Sequence, residues 1–137
     1  MDIKPFEKHH LPEATAVFLR AYDGWTEPEA RAYLEKFLGF DPSSCRVALC
    51  ESRVVGAVLG YWFPRKKEVV LFIQELFVDP KQRKQGLGRR LVESLRSSFV
   101  NNPRINVTPL VKADSAVLSF YNSLGVEHDL MVTYYDG

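Results

Sequence analysis

The chain has 137 residues, 46% hydrophobic and 12% aromatic, and its 18 Lys and Arg against 17 Asp and Glu leave a net charge of +1. That is the composition of one ordinary globular domain, residues 1–137, large enough to bury a core without disulfides or a structural metal. It argues against disorder and against a dedicated nucleic-acid binder, and its apolar runs fall far short of the roughly 20 residues a membrane-spanning helix needs.

Met1 to His10 holds no signal-peptide core, and Cys45 and Cys50 sit in a stretch that reads as extended. Their Cα atoms would then be about 16 Å apart, too far for a disulfide between them. A cytoplasmic setting is expected, and His9, His10 and His128 show no zinc-ligand spacing, so no metal is expected.

In chain order, a short extended start (Ile3 to Phe6) precedes a helix marked by Leu11, Ala14, Phe18 and Ala21 and ending near Tyr22. Thr26 and Glu29 form a capping-box pattern for a second helix, whose core face is Ala30, Tyr33, Leu34 and Phe37 and whose stop is Gly39. Three antiparallel strands are then predicted, Arg46 to Glu51, Val54 to Phe63 and Glu68 to Val78, with Ser52-Arg53 and Pro64 to Lys67 as turns. A helix from about Gly88 carries Leu87, Leu91, Leu95 and Phe99 at intervals of four and ends around Asn101 to Pro103. A strand over Arg104 to Val111, a helix over Asp114 to Leu124 closed by Gly125, and a strand over Leu130 to Tyr135 complete the order. The fold class is α/β (α+β): a mixed, mostly antiparallel sheet flanked by about four helices.

The chemistry-bearing stretch runs from Gln74 to Leu91, from a strand end to a helix start. Gly86 and Gly88 let backbone approach a ligand closely, and the first-turn N–H groups of a helix attract an anion. Lys81, Arg83, Lys84, Arg89, Arg90 and Arg96 add positive charge against Glu93 alone. No Gly-Lys-Ser/Thr is present, so this is not a Walker A loop, and Leu91 occupies the third glycine position of a dinucleotide fingerprint.

These residues resemble the GNAT superfamily of N-acetyltransferases, whose acetyl-coenzyme A (acetyl-CoA) loop reads Gln/Arg-x-x-Gly-x-Gly/Ala. Arg83 to Gly88 fits each fixed position, and Leu76, Val78 and Pro80 match the Leu-x-Val-x-Pro strand before it. Downstream, Phe120, Tyr121 and Gly125 keep the family's Phe-Tyr and glycine spacing, whereas Asp114, Val117 and Val126 depart from it. The resemblance implies acetyl-CoA as co-substrate, with its pyrophosphate on the backbone of Arg83, Lys84, Gln85, Gly86, Leu87, Gly88 and Arg89. Its pantetheine arm would lie beside Phe77 and Val78, where a backbone N–H near Val78 could hold the thioester carbonyl.

The implied reaction is direct attack of a primary amine on the thioester in a ternary complex. Tyr121 is then the candidate acid for the departing thiolate, since a tyrosine can bury its ring and present its hydroxyl to a cleft, with simple packing of the last helix as the alternative. Glu75 is the candidate base, since an alkylammonium near pKa 10.4 must lose a proton before attacking, with a water relay as the alternative. Simple alternation puts Gln74, Leu76 and Val78 on one strand face and Ile73, Glu75 and Phe77 on the other, and a β-bulge would reset that parity. The resemblance also places the acceptor by the first interhelical loop, where Tyr22, Asp23, Trp25 and Glu27 suit a cationic amine through charge and cation–π contact. Neither nucleic acid nor a membrane is expected as a partner, and a homodimer stays open. Two rivals remain: a non-catalytic acyl-CoA-binding or sensing domain, and a small nucleic-acid-binding module using Lys81 to Arg96.

Overall fold

The computed structural model describes residues 1–83, 85–99 and 103–107, with backbone alone for 104–107. Five strands form one sheet in the order β1-β2-β3-β4-β5. They are β1 (Asp2–Pro5), β2 (Cys45–Cys50), β3 (Arg53–Arg65), β4 (Glu68–Val78) and β5 (Arg104–Val107). The first four pair antiparallel and β5 joins β4 in parallel, which gives the mixed, mostly antiparallel sheet read from the sequence. Helices α1 (Leu11–Ala21) and α2 (Glu27–Phe40) cover one face, and α3 (Leu87–Arg96) covers the other. The expected helix over Asp114 to Leu124 and the strand after it lie outside the described residues.

Each face buries its own apolar set. Leu11, Ala14, Val17 and Phe18 of α1 meet Ala30, Leu34 and Leu38 of α2 above Val47, Ala57, Leu59 and Phe77 of the sheet. Leu87, Leu91, Val92 and Leu95 of α3 pack on Val55, Val58, Leu71 and Ile73. The four-residue rhythm of α3 thus marks its buried stripe.

Local chemistry explains most element ends. The Thr26 hydroxyl accepts from the Glu29 N–H at 3.3 Å, and the Glu29 carboxylate accepts from the Thr26 N–H at 3.0 Å. That reciprocal cap starts α2 where the sequence pattern puts it. Helix α2 continues one residue past Gly39, to Phe40. Strand β3 runs through Pro64 to Arg65, further than expected, because β2 leaves it at Leu59 and a proline on an edge need not donate to a ladder. Helix α3 stops at Arg96, short of the expected Asn101 to Pro103. There Ser97 and Ser98 turn their hydroxyls onto the carbonyls of Ser94 and Leu95, while the chain tightens with Ser98 N–H on Leu95 and Phe99 N–H on Arg96.

One irregularity positions the site. Leu59 pairs with Glu75 and Gly60 with Ile73, so Gln74 is an extra residue bulged out of β4. A side chain at Gly60 would run into the Phe72 carbonyl oxygen, and the bulge therefore needs glycine opposite it. Simple alternation fails here. Ile73 joins Leu76 and Val78 on the α3 face, while Gln74 moves across to lie with Glu75 and Phe77 on the face of α1 and α2.

Candidate active site

Glu75 sits at the centre of a polar cluster inside an aromatic wall. The Tyr33 hydroxyl, from the middle of α2, donates to Glu75 Oε1 at 2.8 Å, and Gln74 Nε2 donates to the Tyr33 oxygen at 2.9 Å. The Tyr22 hydroxyl, just past α1, lies against the same carboxylate and reaches the Leu76 carbonyl at 3.4 Å. Burial pushes the Glu75 carboxyl above its ordinary range, and the bonds from Tyr33 and Tyr22 pull part of the way back. Burial and the neighbouring Glu75 both push the Tyr22 phenol up, and burial does the same to Tyr33, so each stays a neutral donor at physiological pH.

The wall is built by ring packing. Trp25 sits with its ring centroid 5.1 Å from Tyr33 and 5.1 Å from Phe18, and Phe18 is 5.3 Å from Phe77 and 4.8 Å from Tyr22. The loop between α1 and α2 is thereby tied to the end of β4. Tyr22 and Trp25 are each 38% exposed, so the aromatic wall opens to solvent on this side. Asp23 and Glu27 are exposed; Glu27 is the first residue of α2.

Past β4 the chain turns into the glycine loop. Asp79 caps a 3-10 turn over Pro80–Gln82 by accepting from the Lys81 N–H at 3.1 Å, and Arg20 of α1 grips its other oxygen at 2.8 Å. Burial opposes the Asp79 charge, but the Lys81 N–H and the Arg20 guanidinium outweigh it and hold the carboxyl below its ordinary value. Gly86 then adopts a left-handed conformation, φ +74° and ψ 15°, immediately ahead of α3. Among the described residues, its chain neighbours aside, no atom stands within 4 Å of where a Cβ would be, so on that side the space over Gly86 is open. The first helical bond runs from Arg90 N–H to Gly86 C=O, so Gly86 stands at the open N-terminal end of α3. Arg83, Gln85 and Arg89 are exposed around this loop, and Arg83 is close enough to act on the Tyr22 hydroxyl. Lys84 and Tyr121 lie outside the described residues.

Among the described residues, pairing of β4 with β5 runs from Val70 to Ile73, and β4 continues to Val78 paired with β3. Phe77 is buried against Phe18, while Val78 packs toward α3. The two residues expected beside the pantetheine arm are thus on opposite faces of the strand, at the end that leads into the glycine loop. The basic face of α3 is partly engaged otherwise: Arg90 donates to the Met1 carbonyl at 3.0 Å, and Arg96 pairs with Glu93 at 3.2 Å.

Four partners of these groups escape a reading of the sequence. Tyr33 fits the apolar stripe of α2, Gln74 fits a plain strand, and Arg20 and Asp79 are 59 residues apart. A tyrosine on an apolar helix face and a glycine inside a strand run were the available signals.

The fold is that of known N-acetyltransferase structures. Aminoglycoside N-acetyltransferase AAC(6')-Iy, solved in complex with CoA, superposes with a TM-score of 0.77 over 99% of this chain and 93% of its own, at 19% identity. The sequence profile of the Acetyltransferase (GNAT) family matches residues 11–126, and the chain belongs to that family. The L-2,4-diaminobutyric acid acetyltransferase of Halalkalibacterium halodurans is 36% identical over 78 residues, 54% of this chain and 41% of that protein. Histone acetyltransferase TAP1 of Glycine max is 40% identical over 57 residues, 42% of this chain and 24% of that protein. Each match therefore spans less than half the length of the curated relative. Among the described residues no helix is long and apolar enough to cross a membrane.

Proposed function

We propose that the chain transfers the acetyl group of acetyl-CoA to a cationic primary amine by direct attack in a ternary complex. The observation that carries this reading is Glu75: a partly buried carboxylate, held by Tyr33 and beside Tyr22, on the strand that leads into the loop at Gly86. Acetyl-CoA supplies an activated thioester. The amine nitrogen attacks its carbonyl carbon, the carbon–sulfur bond breaks, and the thiolate leaves and takes a proton.

The chain's own residues divide the work. Glu75 takes the ammonium proton; burial raises its basicity toward that task, while the bonds from the two phenols favour its charged form. Trp25 and Tyr22 offer ring faces to the cation, and Asp23 of the loop and Glu27 at the start of α2 add attraction. The backbone from Arg83 to Arg89 around Gly86 receives the pyrophosphate, with Lys84 part of the same loop, and the strand end at Phe77 and Val78 guides the pantetheine arm. Tyr121 protonates the thiolate. Support for an amine acceptor comes from the names of the relatives, which include an aminoglycoside and a diaminobutyrate acetyltransferase.

The test is release of CoA thiol from acetyl-CoA with a panel of amines: an aminoglycoside, L-2,4-diaminobutyrate, a histone peptide and a neutral amine. Turnover with a cationic amine is expected, and Glu75→Gln should lower kcat/KM by about 10²-fold and remove the acid limb of its pH profile. Binding of acetyl-CoA with no turnover on any amine would make the chain a sensor instead.

A further inference from the structure

Resting on Glu75 as the base, we propose that Tyr33 is its positioning residue, and that the bulged Gln74 sets the direction of the bond that does it. A phenol has one hydrogen to give. Gln74 Nε2 donates into the Tyr33 oxygen, so the hydrogen is left for Glu75 Oε1, 2.8 Å away. A carboxylate accepts that hydrogen more strongly than a neutral amide oxygen would. The chain of bonds therefore runs one way, from Gln74 through Tyr33 to Glu75.

Three consequences follow from this polarity. Oε1 already holds the Tyr33 hydrogen, so the amine delivers its proton to a carboxylate that is engaged before the amine arrives. The Glu75 rotamer is fixed before substrate arrives, because Tyr33 is itself clamped by rings of Trp25, Phe37 and Phe18 at 5.1, 5.2 and 6.0 Å. The base is also joined to the acceptor wall, since the ring that orients Glu75 is the ring on which Trp25 packs.

The bulge makes the arrangement available. Without the extra residue, Gln74 and Glu75 would point to opposite faces of β4, and only one of them could meet a side chain of α2. The groups facing Glu75 among the described residues are Tyr33 from α2, Tyr22 from the end of α1 and Gln74 from its own strand. Arg83, from the loop past β4, acts on Tyr22.

The test reads Glu75 directly, with no acceptor needed. Protein labelled with 13C at the glutamate carboxyls is titrated by NMR, and the Glu75 signal is assigned by its loss in Glu75→Gln. Tyr33→Phe keeps the ring and removes one hydroxyl that favours the carboxylate, so the Glu75 midpoint should rise by about one pH unit. Tyr22→Phe should raise it less, and the Tyr33→Phe shift should reappear in the acid limb of kcat/KM with the KM for the amine little changed. An unmoved midpoint in folded Tyr33→Phe overturns the proposal. Should that variant not fold, Gln74→Met reads the same chain of bonds: a rise of a few tenths of a unit supports it and no rise overturns it. Failure of the base reading looks different, because an acid limb retained by Glu75→Gln would sink it while leaving the NMR shift intact.

Discussion

Replacing Gly86 separates what the loop costs the fold from what it does for the ligand. Gly86 has φ +74°, and among the described residues, its chain neighbours aside, no atom lies within 4 Å of an added Cβ, so a substitution there meets strain and no clash with them. The strain of a non-glycine residue in this region is about 1–2 kcal/mol, at the upper end for a β-branched side chain. For a chain of this length that should lower Tm of Gly86→Val by roughly 4–8 °C. Asparagine tolerates the left-handed region, so Gly86→Asn should lose much less. The open space is where the pyrophosphate is expected, and any Cβ intrudes on it. At a concentration of 100 times Kd, acetyl-CoA stabilises a protein that binds it only when folded by about 2.7 kcal/mol. Differential scanning fluorimetry with and without acetyl-CoA should show that upward shift in the wild type and lose most of it in both variants. Asparagine thereby reports the steric effect with much less strain. A folded Gly86→Val that keeps the full acetyl-CoA shift would refute the placement of the cradle.

Asp79→Asn keeps an oxygen for the Lys81 N–H but removes the charge that Arg20 grips. Because the folded carboxyl is held below its ordinary value, its contribution is present above the unfolded pKa and lost as pH falls through the folded one. The variant should thus be less stable near pH 7 by about 0.5–1 kcal/mol, discounted for the half-exposed Arg20, with the gap closing in acid; urea melts at pH 7 and pH 3 check this, and an equal gap at both would refute it. Cys45 is fully buried, with burial pushing its thiol up to about 11, whereas Cys50 is partly exposed. Iodoacetamide at pH 8 followed by mass spectrometry should mark Cys50 well before Cys45 in native protein; equal rates would contradict this packing.

Short-range chemistry by itself determined the elements and the loop. Capping residues, apolar periodicity and turn residues act over a few positions, so Thr26 and Glu29 set the start of α2 and the run from Gln74 to Leu91 announced a strand passing into a helix. The family resemblance then pointed to Glu75 and to the loop around Gly86. Tertiary structure decided which side chains meet. One extra residue in β4 changes the face of all that precedes it, and its position depends on how β3 and β4 pair, with Gly60 making room fourteen residues away in the chain. Tyr33 looked like any other ring on an apolar helix face; its hydroxyl acquires a role only because packing brings it across 42 residues to Glu75. The same holds for Arg20 and Asp79, whose contact joins α1 to the glycine loop. Periodicity reports which face of an element is buried, and it carries no information on the partner that a polar group finds there.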